Sequence, residues 1–213
     1  TRDKKILDVN KGHFILASVK DKHKLKNYID KYVDKSNDDH EVKKIDHYEN
    51  LYLKKNRYDG EIGNYIKRML QVGLPENKRA HLSDQLFKKF VTNDEISFAE
   101  ELYLSIEDIK EMFNMGMEIG SHGHSHPWLN NLSKNDQFYD IDTSIKFFSN
   151  AGIPMDNFLF CYPYGAYNED TISVLEALNC SCAFNVSPKK FNLESCSLME
   201  LPRLDTNDIP RAL

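Results

Sequence analysis

Three histidines stand at every second position of the segment GSHGHSHPWL, residues 120–129, and a proline follows the third. Zinc and similar cations bind imidazole nitrogens, and a single helical turn would bring His122 and His126 to one ion. A continued strand would place both on one face together with His124, and an irregular loop could use any of the three. Because Pro127 disfavours the right-handed helical conformation at His126, we expect no helix longer than one turn here.

The density of histidine in this segment is informative by itself. Three of the chain's eight histidines fall within residues 122–126. A lone histidine would most simply be a polar residue of a surface loop, whereas three so close together favour a metal or catalytic site. The spacing therefore predicts such a site and leaves its backbone geometry open.

Short strands and helices alternate around the histidine segment. Apolar runs predict the strands, while N-cap residues and closing glycines mark the ends of the helices. This alternation is typical of a parallel sheet or barrel, in which functional residues lie at the carboxyl ends of the strands. His122 directly follows the first of these strands. The predicted strands are 117–121, the first part of 157–165, which runs into a Pro/Gly turn, and 180–186. The predicted helices are 105–116, 133–152 and 168–180, and Phe138, Ile141, Ile145 and Phe148 are expected to face inward from the second of them.

The first hundred residues show a different pattern. The apolar run HFILASV, residues 13–19, predicts a strand. From residue 20 to about residue 104, apolar side chains recur at spacings of three and four, as in Tyr65 and Met69 or Leu82 and Leu86. This second stretch is predicted to be a group of short amphipathic helices.

Composition limits the classes of partner. The 213 residues include 28 Lys and Arg against 33 Asp and Glu, a net charge of −5, which argues against nucleic acid or an anionic membrane as partner. The sequence has neither an apolar run long enough for a membrane helix nor a start that resembles a signal peptide, although it begins at Thr1 without a methionine. The four cysteines favour structural thiols in a reducing compartment, so we expect a cytoplasmic location.

Two linked motifs resemble a known family. MEIGSHGHSHPWL is similar to the histidine motif of the polysaccharide deacetylases (carbohydrate esterase family 4, NodB-like), in which a second His-Pro follows four residues after Ile-Gly-Ser-His. FLFCYPYGAYN, residues 158–168, resembles the family's next motif, an aromatic strand ending in Tyr-Pro-Tyr-Gly. ELPRLDTND, residues 200–208, resembles a late Leu-Pro-Arg segment. The resemblance covers residues from about 105 to 210.

The resemblance implies an α/β fold, a distorted (β/α) barrel that is incomplete at its N-terminus and carries a helical insertion. Residues 1–19 would be a strand-containing remnant of the barrel, 20–104 the insertion, and 105–213 the C-terminal part of the barrel. Unpaired strand edges in such a barrel would favour self-association or completion of the barrel by another chain.

The resemblance also implies a function, the metal-dependent hydrolysis of N- or O-acetyl groups of a sugar or polysaccharide. His122 and His126 would bind a divalent cation, most often zinc, with nickel or cobalt as alternatives. Tyr164 would help to hold the acetyl oxyanion through its backbone amide, and Pro163 and Gly165 would shape the substrate-binding turn. Arg203 would either orient an acidic group of the site or form a structural salt bridge.

Two parts of the family pattern have no match. The motif Thr-Phe-Asp-Asp-Gly, which supplies a third metal ligand and the general base, is absent, and the Asp38-Asp39 pair lies in a polar segment that predicts a solvated loop. No histidine follows His126, so the late Leu-x-His motif of the general acid is absent too. Three hypotheses follow: part of a metal-dependent deacetylase, a catalytically inactive carbohydrate-binding or scaffolding member of the family, or an unrelated metal-binding α/β domain.

Overall fold

The computed structural model describes residues 4–36, 40–190, 192 and 197–209. The chain divides into two compact units, Thr1–Tyr103 and Leu104–Leu213. The Asp38-Asp39 pair lies outside the described residues, as does Cys196. Every helix within the described part of the chain is too short or too polar to cross a bilayer.

All regular elements among the described residues of the first unit are helices. Its core consists of apolar side chains from successive helices, such as Ile15, Leu25 and Phe87, each at most 1% exposed. The predicted periodicity is confirmed at Tyr65 and Leu82, which are buried in this core. The helices are α1 (Asp8–Ser18), α2 (Lys22–Lys35), α3 (Ile45–Tyr52), α4 (Glu61–Arg68), which continues into a π-helical turn (Met69–Gly73), α5 (Glu76–Phe90) and α6 (Glu95–Leu102).

The prediction of a strand at residues 13–19 is wrong. Residues 13–18 lie in helix α1, whose buried face repeats with helical spacing, and α1 packs against α5. The periodicity of a seven-residue apolar run cannot distinguish a strand from a buried helix. The packing of this segment against α5 therefore determined that it is helical. The buried positions on this face are Lys11, Gly12, Ile15 and Leu16, followed by Val19 just beyond the helix.

The second unit is an α/β arrangement with a short parallel sheet. Strand β1 (Leu159–Cys161) pairs in parallel with β2 (Cys182–Phe184), with Phe160 opposite Ala183. Single parallel bridges extend the sheet on both sides, from Ser121 to Phe160 and from Phe184 to Leu201. Helices α7 (Ile106–Asn114), α8 (Lys134–Asn150) and α9 (Glu169–Ala177) complete the unit.

The predicted helices of the second unit are confirmed, but its strands are shorter than predicted. Ser105 and Asp108 form the expected capping box of α7, and Gly116 after the helix has a φ of 91°. The predicted strand 117–121 is reduced to a single parallel bridge, from Ser121 to Phe160. The chain is thus a mostly helical α/β protein in its described residues, and the full (β/α) barrel stays a prediction.

Helix α8 buries most of the predicted stripe, and its inner face also includes polar residues. Ile141 is fully buried, and Ile145 and Phe148 pack against the core of the second unit. Phe138 is 43% exposed, whereas the polar residues Gln137, Asp140 and Ser144 are buried beside Ile141. The inner face thus extends from the predicted stripe toward Gln137 and Asp140, and Phe138 at the opposite edge of the stripe is exposed. Polar side chains on the inner face of a helix are stable only when they are hydrogen-bonded, and all three have partners within the unit.

Candidate functional site

The candidate site lies where the parallel segments of the second unit end. The Ser121 amide donates to the Leu159 carbonyl at 2.8 Å, and the Cys161 amide donates to the Ser121 carbonyl at 3.0 Å. His122 therefore leaves the sheet beside the end of β1. Arg203 follows Leu201, the bridge residue on the opposite side of the sheet. The predicted placement of functional residues at carboxyl ends of strands matches this geometry.

The two histidines predicted as metal ligands face each other. The ring centroids of His122 and His126 are 4.7 Å apart, and the ring planes meet at 79°. Of the three backbone geometries considered from the sequence, the structure has the irregular loop. Gly123 with a φ of 76° and His126 with a φ of 57° both take the left-handed conformation, which interrupts strand and helix alike.

Contacts of the His122 ring determine which of its nitrogens can bind a ligand. Nδ1 lies 2.6 Å from the carbonyl oxygen of Cys161, which can only accept, so Nδ1 carries the proton and donates it. Nε2 is then the nitrogen with a lone pair. Metal-binding histidines usually have this arrangement, with one nitrogen donating to a backbone carbonyl and the other binding the ion.

The environment of His122 favours its neutral form. Protein atoms around the inner side of the ring lower the pKa of His122, although the residue also reaches solvent. The Cys161 carbonyl opposes this effect, and the positive charge of Arg203 lowers the pKa further. The neutral imidazole is the form that binds a cation.

Tyr164 lies at the centre of an aromatic cluster in the site. Its ring stacks on Trp128 with centroids 4.7 Å apart and planes at 11°, and it meets the His126 ring edge to face at 4.5 Å. Tyr164 belongs to a 3₁₀ turn, Pro163–Gly165, in which it has a φ of 58°. Pro163 is buried, so it holds the turn against the protein.

Gly165 and Arg203 have contacts that the sequence did not reveal. A Cβ atom at Gly165 would lie 2.4 Å from Val186 Cγ2, so any larger residue would force the Val186 side chain to move. Arg203 Nη1 lies 3.6 Å from Cys161 Sγ. Among the described residues, neither a salt bridge of Arg203 nor an acidic group oriented by it is present, so both predicted roles stay predictions.

One residue of the site was missed from the sequence. Asp140 on α8 is 5% exposed and accepts hydrogen bonds from the backbone amides of His124 and Ser125, both at 2.9 Å. The only signal in the sequence was its spacing of three and four residues from Gln137 and Ser144, which makes one polar stripe. Such a stripe would ordinarily be assigned to the solvent face.

The two histidines fit two positions of a metal site. Two imidazoles that bind one tetrahedral ion through bonds of about 2.0–2.1 Å have ring centroids about 5 Å apart, close to the observed pair. Within the described ranges, no group of three or more His, Cys, Asp or Glu side chains is arranged to hold a metal ion. His122 and His126 therefore suit a cation whose remaining ligands are not among these side chains.

Comparisons with known proteins agree on one family. Residues 87–183 match the family model described as polysaccharide deacetylase. A curated relative from Bacillus subtilis (strain 168), named "Putative polysaccharide deacetylase YxkH", is 34% identical over 80 residues, which are 38% of this chain. The matched segment is 28% of the relative's length.

Two solved structures also resemble the chain in part. The Streptococcus pyogenes deacetylase PplD in complex with acetate has a TM-score of 0.46 and 20% identity, covering 58% of this chain and 57% of that protein. The BpsB deacetylase domain from Bordetella bronchiseptica has a TM-score of 0.43 and 18% identity, covering 49% of each.

Proposed function

We propose that this chain takes part in removing acetyl groups from an acetylated sugar or polysaccharide, because residues 87–183 match the polysaccharide deacetylase family model. The observation that carries the proposal is the facing pair His122 and His126 beside the Tyr164 turn. The family supports a hydrolase of the deacetylase kind. Metal dependence and the acetylated carbohydrate as substrate are our proposals.

The reaction determines what the site must do. Hydrolysis adds the oxygen of one water molecule to the acetyl carbonyl carbon and breaks the bond from that carbon to the sugar nitrogen or oxygen. Acetate and the free amine or hydroxyl are the products, and the departing atom takes up a proton. The site must therefore stabilise the negative oxygen that develops on the carbonyl, remove a proton from water and return one to the leaving group.

His122 and His126 would hold the cation, with zinc the first choice and nickel or cobalt the alternatives. A bound cation would act as a Lewis acid toward the acetyl oxygen. His122 is prepared for this role because the Cys161 carbonyl orients its ring and fixes the proton on Nδ1.

Tyr164 would contribute its backbone amide to the developing oxyanion. The left-handed conformation at Tyr164 sets the direction of this part of the backbone, and the stack on Trp128 holds the ring in place. Fixed backbone donors of this kind stabilise an oxyanion without reorganising during the reaction. Pro163 and Gly165 would keep the turn rigid on either side.

The general base, the general acid and a third ligand have no candidates in the motifs of this chain. We propose that they come from residues outside this sequence or from another chain. The whole enzyme, its substrate and its cytoplasmic location accordingly remain proposals.

A second function is favoured by a different observation. With two histidines but no third protein ligand among the described residues, the domain would bind carbohydrate or serve as a scaffold without catalysis. Metal content and acetate release together separate this alternative from the enzyme.

The test is elemental analysis of the purified protein, followed by an assay of acetate release from acetylated oligosaccharides. We expect bound zinc, nickel or cobalt in the wild type and in the control His124→Ala, and loss of the metal in His122→Ala and His126→Ala. Metal without acetate release would support the non-catalytic alternative. Failure of the wild-type protein to bind added metal would contradict the proposed site.

A further inference from the structure

We propose that Asp140 is a positioning residue that holds His122 and His126 in their facing arrangement. The proposal depends on the function proposed above only for the identity of the ligand that the two histidines bind. That Asp140 holds the loop is argued from geometry alone. Asp140 itself touches neither histidine ring in the contacts of the described residues; its hydrogen bonds go to the backbone between them.

Both carboxylate oxygens of Asp140 are used within the loop. Oδ2 accepts the His124 amide at 2.9 Å, and Oδ1 accepts the Ser125 amide at 2.9 Å and the Ser125 hydroxyl at 2.5 Å. Hydrogen bonds to an ionised carboxylate are stronger than neutral ones, and burial removes the water that would compete with them. Two successive amides therefore point at one carboxylate and fix the peptide between the histidines.

Gly123 supplies an independent observation. A Cβ atom at this position would lie 2.6 Å from Asp140 Oδ2, and the φ of Gly123 is 76°. The loop thus approaches the carboxylate as closely as a backbone without a side chain allows. Gly123 directly follows His122. Because it has no side chain, the Asp140 carboxylate fits against the backbone at this position.

Helix α8 also holds the start of the loop. One turn after Asp140, the Ser144 hydroxyl lies 2.5 Å from the hydroxyl of Ser121, the residue before His122. The polar stripe of α8 thereby contacts the chain on both sides of His122. A helix is rigid over one turn, so it fixes the distance between these two anchor points.

Left-handed backbone at His126 explains why such a brace is needed. A residue other than glycine in this conformation costs about 1–2 kcal/mol, and it persists only when surrounding contacts hold it. The amide bonds to Asp140 lie one and two residues before His126 and provide such contacts.

Amide hydrogen exchange of the full chain without metal tests the brace. Asp140→Asn keeps the size of the side chain but replaces one acceptor oxygen with a donor group. We expect exchange of the His124 and Ser125 amides to accelerate about tenfold to hundredfold, the range for losing a hydrogen bond to a charged group. Asp142→Asn, on the same helix and paired with Lys146 at 2.6 Å, is the matched control and should leave these amides unchanged.

Cobalt binding tests the consequence for the histidines. The visible absorption of bound Co²⁺ reports both the affinity and the geometry of the ligands. We expect Asp140→Asn to bind Co²⁺ about 10-fold to 100-fold more weakly than the wild type and with an altered spectrum. Ser125→Ala removes only one of the three hydrogen bonds, so it provides a milder variant with a smaller effect if Asp140→Asn does not fold.

The outcomes separate the two proposals. Unchanged amide exchange in Asp140→Asn and Ser125→Ala would overturn the brace, and faster exchange with unchanged Co²⁺ affinity and spectrum would overturn the positioning role. Faster exchange in a protein whose wild type binds no Co²⁺ would support the hold on the loop and contradict the proposed metal function instead.

Discussion

At the scale of single residues, His126 and Tyr164 share a feature that is rare for side chains of their size. Both have left-handed backbone, with φ values of 57° and 58°, and their rings contact each other at 4.5 Å. Strain of this kind persists where neighbouring contacts enforce it, and it is often found at functional sites. The stack on Trp128 and the loop contacts of Asp140 are the enforcing contacts here.

Gly165→Ala is expected to destabilise the second unit. The new methyl group would overlap Val186 Cγ2, and alanine would take the left-handed φ of 69° at a cost of about 1 kcal/mol. Adding Val186→Ala should recover the steric part of the loss but not the conformational part. Urea unfolding followed by the fluorescence of Trp128, the chain's one tryptophan, measures both. Equal stability of Gly165→Ala and its double variant would contradict the predicted overlap.

Cys180 is expected to react slowly with alkylating reagents. Burial raises the pKa of its thiol to about 12, and the thiol donates to the Cys182 carbonyl at 3.3 Å. Because the thiolate is the reactive form, iodoacetamide at pH 8 should modify Cys180 much more slowly than the partly exposed Cys161. Mass spectrometry of peptides gives both rates, and urea should abolish the difference. A fast reaction at Cys180 in the folded protein would show that it is not buried.

At the scale of elements, local signals and packing contribute differently to each helix. Helix α7 is defined by its capping box, in which Ser105 Oγ accepts the Asp108 amide at 3.0 Å and Asp108 Oδ2 accepts the Ser105 amide at 2.8 Å. Helix α8 instead gains its orientation from hydrogen bonds of its buried polar stripe. The residues that cap α7 therefore contact only close neighbours in the sequence. The polar stripe of α8 instead contacts the loop of the candidate site.

The capping box of α7 predicts a dependence on pH. The hydrogen bonds from Ser105 lower the pKa of Asp108 below its ordinary value. A carboxyl group whose folded pKa is lowered stabilises the protein above its unfolded pKa, and this stabilisation is lost as the pH falls through the folded pKa. Asp108→Asn should therefore lower Tm at pH 7 and make no difference at a pH below that folded pKa.

The matched control for this prediction is Glu107→Gln, which removes a charge from the same helical turn outside the capping box. Thermal unfolding at pH 7 and at a series of progressively more acidic pH values measures the variants in parallel. An Asp108→Asn effect on Tm that stays constant across the series would contradict the role of the carboxylate.

At the scale of the whole molecule, each of the two units has its own hydrophobic core. The core of the second unit includes Phe160, which is fully buried on β1 between the bridge to Ser121 and the pair with Ala183. The candidate site is built entirely within this unit. Its stability consequently determines whether the parallel segments keep the histidines and the Tyr164 turn in place.

Phe160→Ala is expected to cost about 3–5 kcal/mol in the free energy of unfolding of the second unit, the usual range for a buried phenylalanine. Phe138→Ala on α8 is the control, because that side chain is 43% exposed and should cost far less. Urea unfolding monitored at Trp128 compares the two. Similar costs for both variants would contradict the different burial of these two side chains.

The sequence by itself determined the helices of the second unit, the parallel arrangement of its strands and the histidines that would meet. Capping residues and closing glycines act through contacts within a few positions, so Ser105 and Gly116 could be read directly. The prediction that His122 and His126 lie close together is likewise confirmed, although whether they bind metal stays a prediction.

Only the tertiary structure decided the rest. Residues 13–18 are helical because α1 packs against α5. The lengths of β1 and β2 are set by the residues that pair across the sheet, which lie far apart in the sequence. The left-handed loop at His126, which we propose that Asp140 holds, involves hydrogen bonds between Asp140 and residues 15 and 16 positions earlier in the chain. Such contacts join residues that are distant along the chain, and local sequence patterns carry no signal for them.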